Sequence, residues 1–174
     1  DFYKNKMIFL DAKPNKAHLK LAEMERAGKL SAIVTQNIDG LHQAAGSKNV
    51  FELHGSVHRN YCQKCGKFFD VNYVVNAKGV PYCDECGGII KPDVVLYEEG
   101  LDSQTINGAV RAISKADMLI IGGTSLVVYP AAGMIDYFKG KYLAVLNRDA
   151  TSRDKQADLC ITDPIGEVLG RIRV

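Results

Sequence analysis

The chain has 174 residues, of which 47% are hydrophobic and 24% charged, and its formal net charge is +2. This is the composition of a globular protein, so disorder is not the leading interpretation. A charge so close to zero gives no electrostatic reason to expect nucleic acid or a membrane surface as the main partner, and no apolar run is long enough to span a bilayer. The length is sufficient for one domain, or for one domain with a small insertion.

Helices and short strands are predicted to alternate in the first third of the chain. Pro14–Ala27 carries apolar residues at helical spacing and is followed by Gly28, which predicts a helix. Short apolar runs predict strands at 30–34 and 50–53, with a short helix at 39–45 between them.

The composition changes at 57–92, which we predict to be a separate small module. This segment holds four of the five cysteines and shows helical periodicity only at 70–77. Residues 1–56 and 93–174 are predicted to form the other domain.

The α/β pattern returns after this module. Strands are predicted at 94–96, 117–121, 142–146 and 158–161, and helices at 103–115, 130–138 and 164–172. Because these strands lack polar alternation and are separated by helices, they predict a parallel sheet covered on both faces. The predicted fold class is therefore α/β.

Four cysteines form two C-x-x-C pairs whose separation falls within the roughly 15–20 residues typical of zinc sites. They are Cys62, Cys65, Cys83 and Cys86. A glycine, Gly66 or Gly87, directly follows each pair, where a tight metal-binding turn needs an open backbone. Four thiolates would complete a tetrahedral Zn²⁺ shell with no open position, which predicts a structural ion. Two disulfides or a redox pair are the alternatives.

The fifth cysteine, Cys160, lies between Leu159 and Ile161 and is predicted to be a small buried side chain. A secreted disulfide scaffold would be shorter and richer in cysteine. A reducing compartment is therefore predicted, and we expect the protein in the cytoplasm.

Polar side chains are concentrated where the predicted strands end, which is where α/β sheets bind their ligands. Gln36-Asn37-Ile38-Asp39 and His54 follow the first two strands, and Gly123-Thr124-Ser125 and Asn147-Arg148-Asp149 follow two later ones. The glycine turn has the form of a nucleotide-binding turn, although any strand-to-helix turn can carry such residues. A structural histidine and a solvated loop are the alternatives for His54 and for 147–149.

Taken together and in this order, the motifs resemble the sirtuins, a family of NAD-dependent protein-lysine deacylases. The resemblance covers nearly the whole chain from Ala12 onward. The matching stretches are Thr35–His42, Glu52–Gly55, the two cysteine pairs, Lys91–Val95, Gly123–Leu126 and Asn147–Asp149.

The resemblance implies a Rossmann-like NAD-binding domain, with helices on both faces of a parallel sheet, that carries a small zinc-ribbon module. It implies that His54 is the catalytic residue and that Val94, Val95 and Leu96 pair with the substrate peptide by β-strand addition. The residues that it assigns to NAD are Gln36, Asn37, Ile38, Asp39, Gly123, Thr124, Ser125, Asn147, Arg148, Asp149 and Ala157.

The implied substrates are acylated-lysine proteins or peptides, and NAD is consumed as a co-substrate. The acyl-lysine carbonyl oxygen attacks C1′ of the nicotinamide ribose, and nicotinamide leaves. His54 then takes a proton so that a ribose hydroxyl can attack the resulting imidate, a role that suits an imidazole titrating near neutral pH. Hydrolysis gives free lysine and O-acyl-ADP-ribose, and the zinc ion takes no part in this chemistry.

Two features depart from the family pattern. The family's opening strand, with its Gly-Ala-Gly-x-Ser turn and Pro-Asp-Phe-Arg loop, is not found. Since the first residue is Asp1 rather than Met, we expect the chain to be a fragment or a processed product of a longer polypeptide. A polypeptide limited to these residues is predicted to have weak activity or none. Glu98 stands where the family usually has Gly in a Phe-Gly-Glu sequence, which bears on the conformation of that loop.

Two other functions are compatible with part of the pattern. The cysteine pairs alone would also suit a zinc-ribbon module that binds protein or nucleic acid without catalysis. A Rossmann oxidoreductase with a structural zinc would usually carry a G-x-G-x-x-G turn, which we do not find. Within the sirtuin interpretation, ADP-ribosyl transfer remains open as a related activity.

Overall fold

The computed structural model describes residues 2–174, and these fall into two compact units. The first unit extends to Ala12 and continues with Thr35–Gly40 and Glu52–Leu101. The second consists of Lys13–Val34, Leu41–Phe51 and Asp102–Val174. The predicted cysteine module at 57–92 lies inside the first unit, and its own boundaries stay a prediction.

Helices and short strands make up the regular structure of both units. The α-helices are α1 (Lys16–Arg26), α2 (Leu41–Ala44), α3 (Val71–Asn76), α4 (Ser103–Lys115) and α5 (Ile165–Gly170). The strands are β1 (Ile33–Thr35), β2 (Val50–Glu52), β3 (Gly55–Cys62), β4 (Phe68–Phe69), β5 (Ile90–Val94), β6 (Met118–Gly122), β7 (Tyr142–Leu146) and β8 (Leu159–Ile161). A π-helical turn spans Tyr3–Met7, and 3₁₀ segments span Ala131–Tyr137 and Asp154–Gln156. Among residues 2–174, no helix is both long enough and apolar enough to cross a membrane.

Helix boundaries follow from side chains that cap the helix ends. The Asn15 side chain accepts hydrogen bonds from the backbone N–H groups of Ala17 (2.9 Å) and His18 (3.2 Å), which satisfies donors that lack partners inside α1. In the same way, the Asp102 carboxylate accepts from the Thr105 N–H (2.7 Å) at the start of α4. The helix predicted at 103–115 is confirmed over its full length, and the one predicted at 14–27 is confirmed within narrower bounds.

The second unit is built on a parallel sheet with the strand order β6-β7-β8. Side chains of the central strand β7 alternate between its two faces. Leu146 packs with Ala17 of α1 and Leu169 of α5, while Leu143 and Val145 belong to a second apolar cluster that includes the 3₁₀ segment at 131–137. The prediction of a parallel sheet covered on both faces is confirmed for these strands.

Strands β1 and β2 form a second parallel pair. The Ile33 N–H donates to the Asn49 carbonyl oxygen (2.9 Å), and the Leu53 N–H donates to the Thr35 carbonyl oxygen (2.9 Å). Because parallel strands end at the same edge, Gln36 and His54, which follow β1 and β2, emerge side by side.

The first unit contains an antiparallel sheet with the order β4-β3-β5. Gly55 lies opposite Val94 at one end of the β3–β5 pair, and Cys62 lies opposite Ile90 at the other. The register shifts between Ser56 and Asn60, and β5 is an edge strand, so Pro92 is tolerated although it has no N–H group. An apolar cluster beside this sheet contains Cys62, Phe69, Val74, Cys83 and Ile90.

Three local predictions are wrong. The strand predicted at 94–96 ends at Val94, because Leu96 begins a tight turn in which the Glu99 N–H donates to the Leu96 carbonyl oxygen (3.1 Å). The helix predicted at 130–138 is a 3₁₀ segment at Ala131–Tyr137. Cys160 is exposed rather than buried, since β8 is an edge strand of its sheet.

We expect that Gly55 cannot be replaced without destabilising the first unit. Its φ is +75°, and a Cβ there would lie 1.9 Å from the Asp93 carbonyl oxygen, which cannot move away without breaking the β3–β5 pairing. Gly55→Ala should lower the free energy of unfolding, measured by urea denaturation, by about 3 kcal/mol or more.

Gly79→Ala is the matched control for this substitution. Gly79 has a φ of +77°, but nothing lies within 4 Å of a Cβ built there. The control should therefore cost only about 1 kcal/mol, the strain of a left-handed alanine. Equal losses in the two variants would contradict the steric explanation for Gly55.

Candidate functional site

His54 is oriented by a hydrogen bond to the chain segment that follows β1. Its Nδ1 atom lies 3.1 Å from the carbonyl oxygen of Gln36. Because a carbonyl oxygen can only accept, Nδ1 must carry the proton, and in the neutral ring the lone pair is on Nε2. The half-buried His54 side chain is therefore prepared to accept a proton at Nε2.

The backbone of His54 is also fixed by a hydrogen bond. The Val95 N–H donates to the His54 carbonyl oxygen (3.1 Å), and the adjacent Gly55 allows the backbones of β3 and β5 to approach at this point. His54 thus lies between two strands instead of in a free loop, which limits its motion.

The polar segment 36–39 is folded on itself and bonded to β3. The Asn37 amide donates to the Asp39 carboxylate (3.3 Å), and the Asn37 N–H donates to the Thr35 hydroxyl (3.1 Å). The carbonyl oxygen of Ile38 accepts from the Val57 N–H (3.0 Å). The structure therefore brings four residues with a sequence-predicted NAD role together with His54 in the first unit.

His58 supports this segment from β3, a role that the sequence did not indicate. Its Nε2 atom lies 3.0 Å from the Asp39 carbonyl oxygen and therefore carries a proton. Gly40, with a φ of +68°, leaves room for the ring, since a Cβ there would lie 2.8 Å from the His58 Cδ2 atom. The glycine after Asp39 was the one sequence signal for this packing.

Arg59 joins the strands that flank His54. Its Nη1 atom lies 2.7 Å from the Glu52 carboxylate at the end of β2, and its Nε atom lies 2.7 Å from the Asp93 carboxylate in β5. The Glu52 side chain is only 7% exposed. Without the ion pair to Arg59, its negative charge would be buried and unpaired. Burial lowers the pKa of Arg59, but the hydrogen bonds to Glu52 and Asp93 outweigh it, and the net pKa is raised. Sequence reasoning did not select Arg59.

The residues predicted to pair with a substrate peptide lie at the end of β5 and just beyond it. Val94 is buried in the strand, Val95 is bonded to His54, and Leu96 is exposed at the start of the turn. Glu98, in that turn, has a φ of +71°, the left-handed conformation that favours glycine. The backbone of this chain is thus left-handed at the position where the family usually has Gly.

The remaining predicted NAD residues lie in the second unit, where β6 and β7 end side by side. Gly123, with a φ of +61°, donates its N–H to the Leu146 carbonyl oxygen (3.3 Å). The Thr124 hydroxyl accepts from the Leu126 N–H (3.2 Å). The neighbouring Ser125 is exposed. The glycine turn is therefore adjacent to the residue that precedes Asn147, as the sheet geometry predicted.

Residues 147–149 form a second turn at this edge. The Asn147 amide donates to the Asp149 carbonyl oxygen (2.9 Å), and Arg148 and Asp149 are exposed. Ala157 is half-buried, packs against the apolar cluster around Leu143, and donates its N–H to the Asp154 carbonyl oxygen (3.2 Å). Except for Ala157, the predicted residues of the second unit thus gather at the carboxyl edge of its sheet.

The four cysteines of the C-x-x-C pairs form one cluster in which all sulfurs lie within 4.8 Å of one another. The Cys62 and Cys86 sulfurs are 3.4 Å apart and those of Cys65 and Cys83 are 3.7 Å apart, both far beyond the roughly 2.05 Å of a disulfide bond. Sulfurs that share a tetrahedral zinc ion at about 2.3 Å lie about 3.8 Å apart. The cluster therefore fits a zinc ion and excludes the disulfide alternative for these side chains.

The two cysteine turns have the same backbone geometry. The N–H groups of Gly66 and Gly87 donate to the carbonyl oxygens of Cys62 and Cys83, each at 3.0 Å, and both glycines have positive φ. A Cβ on Gly88 would lie 2.8 Å from the Cys62 sulfur, so glycine also makes space for the cluster.

Neighbouring groups shift the pKa values of the cysteine sulfurs in opposite directions. The backbone N–H of Cys65 stabilises the Cys62 thiolate and lowers its pKa to about 6. For Cys65, the Lys67 N–H lowers the pKa, but the sulfurs of Cys86 and Cys62 raise it further, to about 12. Four adjacent thiolates can coexist only with a bound cation, which supplies the missing positive charge.

Comparison with known proteins gives matches over nearly the whole chain. The model of the Sir2 family matches residues 1–130. The chain is 66% identical over 170 residues to an NAD-dependent protein deacetylase of Clostridium acetobutylicum, covering 97% of this chain and 69% of that protein. It is 64% identical over 173 residues to an NAD-dependent protein deacetylase of Clostridium perfringens, covering 99% of this chain and 71% of that protein. A solved structure described as Sir2-p53 peptide-NAD+ matches with a TM-score of 0.91 and 40% sequence identity, over 98% of this chain and 73% of that one.

We predict that the purified chain carries one zinc ion and that a chelator destabilises it. Removing the ion leaves four adjacent thiols in an apolar cluster, so the thermal unfolding temperature should fall by several degrees or more and metal content should drop to zero. Cys83→Ser should have the same effect. Cys160→Ser is the control, because Cys160 is exposed and is not part of the cluster. Full stability without bound metal would contradict the assignment.

Proposed function

This chain belongs to the Sir2 family, and on this premise we propose that it is an NAD-dependent protein-lysine deacetylase in which His54 is the catalytic base. It transfers the acyl group of an acylated lysine to ADP-ribose with release of nicotinamide. The observation that carries the role of His54 is the bond from its Nδ1 to the Gln36 carbonyl oxygen, since this bond leaves Nε2 as the proton acceptor. The proposed partners are acylated-lysine proteins or peptides.

NAD supplies the electrophilic ribose carbon and the leaving nicotinamide. The role proposed for His54 is to remove a proton from a ribose hydroxyl as this hydroxyl attacks the imidate. A neutral imidazole can do so near neutral pH. After the transfer the proton resides on His54 Nε2, and the Nδ1–H bond to Gln36 holds the charged ring in place. The same carbonyl oxygen stabilises the positive charge, because it is the negative end of the peptide dipole.

The proposed NAD contacts form two groups, one in each unit. In the first unit they are Gln36, Asn37, Ile38 and Asp39, which the bonds to Thr35, Val57 and His58 hold in a fixed conformation. In the second unit they are Gly123, Thr124, Ser125, Asn147, Arg148 and Asp149. Ala157 is proposed as a backbone contact only, since its methyl group packs into the apolar cluster.

Substrate peptides are proposed to add as a strand beside Val94, Val95 and Leu96. The support is the position of β5 at the edge of its sheet and the direct bond between Val95 and His54. A peptide that pairs there by its backbone places its acyl-lysine near His54 whatever its sequence.

Zinc is held by Cys62, Cys65, Cys83 and Cys86 and is structural, because four protein ligands leave no position for substrate or water.

We further propose a cytoplasmic location, supported by the five free cysteines and by the bacterial relatives. A zinc ribbon without catalysis would explain the cysteine cluster, but it would not explain matches that extend over nearly the whole chain.

The proposal predicts that His54→Ala abolishes most of the activity. The full-length protein is incubated with NAD and an acetylated peptide, and nicotinamide release is measured. The rate constant kcat should fall at least about 100-fold, the contribution of a general base, while the thermal unfolding temperature stays within a few degrees.

His18→Ala is the control histidine, since His18 caps helix α1 in the second unit and has no proposed catalytic role. It should retain nearly the full rate. If His54→Ala retains it too, His54 is not the base. If the unsubstituted protein consumes no NAD with any acylated peptide, the proposed activity itself is refuted.

A further inference from the structure

The turn that follows β5 is closed by an ion pair between Lys91 and Glu99. The Lys91 Nζ atom lies 3.1 Å from the Glu99 carboxylate, and both side chains are partly exposed. Lys91 is in β5 and Glu99 is the last residue of the turn, so the pair connects the strand proposed to receive the peptide with the turn that follows it.

The backbone groups of Val94 face the open edge of the sheet. In an antiparallel pair, the N–H and C=O groups of successive residues point alternately toward the partner strand and away from it. The Val95 N–H points toward His54, to which it is bonded, so the groups of Val94 point away from β3. A peptide strand added at this edge would meet the backbone groups of Val94 and Leu96.

Lys91 and Glu99 bond to these same edge groups. The Lys91 ammonium donates to the Val94 carbonyl oxygen (3.1 Å), and the Leu96 N–H donates to the Glu99 carboxylate (2.9 Å). The Leu96 N–H and the Lys91 ammonium together lower the pKa of Glu99, so this carboxylate is ionised at neutral pH. Carbonyl oxygens have a second lone pair, so the Val94 and Leu96 carbonyls can still accept from an added strand.

The conformation of the turn from Leu96 to Glu99 is not one that the turn residues themselves favour. The Glu99 N–H donates to the Leu96 carbonyl oxygen, and the third residue of the turn, Glu98, has a positive φ. This is the pattern of a type II turn, which prefers glycine at that position. A non-glycine residue remains there only when surrounding contacts impose the conformation, and the two bonds to the Glu99 side chain supply such contacts.

We propose that Lys91 and Glu99 are positioning residues for the substrate peptide: their ion pair fixes the open edge of β5 in the conformation that a peptide strand pairs with. This inference rests on the proposed deacetylase function and adds the residues that prepare its peptide site. When the edge is ordered before the peptide binds, binding involves no further loss of entropy in the edge. Peptide affinity is therefore higher, and NAD affinity is unaffected.

The test compares Glu99→Ala, Glu99→Gln and Lys91→Met in nicotinamide-release assays with an acetylated peptide, varying peptide and NAD in turn. Glu99→Ala should raise the peptide KM about tenfold, because it removes an ion pair and a charge-assisted hydrogen bond. The KM for NAD and kcat at saturating peptide should stay within about twofold of the unsubstituted protein. Glu99→Gln keeps an acceptor for the Leu96 N–H and should recover part of the loss.

Coupling between the two side chains provides a second readout. The double variant Lys91→Met/Glu99→Ala should raise the peptide KM by less than the product of the two single-variant effects, since each substitution breaks the same ion pair. Glu98→Gln is the control, because it removes an adjacent negative charge and leaves the bonds to Glu99 in place. The peptide KM of Glu98→Gln should be unchanged. This result would separate positioning by Glu99 from a general electrostatic attraction between this turn and a basic peptide.

Two results would overturn the proposal. An unchanged peptide KM in Glu99→Ala would show that the edge needs no such support. A lower peptide KM would show that Glu99 competes with the peptide for the Leu96 N–H. Neither result affects the deacetylase function, which fails only if the unsubstituted protein releases no nicotinamide. In that event, fluorescence anisotropy with a labelled acetylated peptide compares directly the peptide affinities of the unsubstituted protein and Glu99→Ala.

Discussion

The close approach of β3 and β5 at Gly55 is the constraint on which the first unit depends. Only a hydrogen atom fits between the Gly55 Cα and the Asp93 carbonyl oxygen, so the two strands cannot pair in this register with any other residue there. The pairing brings the Val95 N–H to the His54 carbonyl oxygen and places the proposed base against a sheet. Arg59 then joins Glu52 to Asp93 across the same region, so charge pairing and backbone pairing act together.

Strand β3 also connects His54 to the cysteine cluster. It begins directly after His54 and ends at Cys62, where it pairs with Ile90 of β5. A zinc ion bound by these four thiolates would have no open position for substrate, and it would hold the far end of this strand. Through the antiparallel pairing of β3 with β5, such an ion would stabilise the strand that begins next to His54.

Features with a local or periodic signal could be predicted from the sequence, and features held by distant polar contacts could not. The C-x-x-C spacing, the apolar run of β7 and the spacing of α4 were sufficient to locate these elements. Strand β3 was missed because its polar residues and its register shift leave no period of two. Arg59 was missed because its partners lie 7 and 34 residues away in the chain. Assignments such as His54 came from family resemblance, and the proton position that explains its role became visible only with the bond to Gln36.

The turn at Glu98 shows how a residue other than glycine can occupy a left-handed position. A left-handed glutamate costs about 1 kcal/mol more than the glycine usual in the family, and in isolation this turn would adopt other conformations. Here the Glu99 carboxylate is bonded to the Leu96 N–H and to Lys91, which ties both ends of the turn to β5. These bonds are sufficient to offset the strain at Glu98, so the turn next to the edge of β5 adopts this conformation without a glycine.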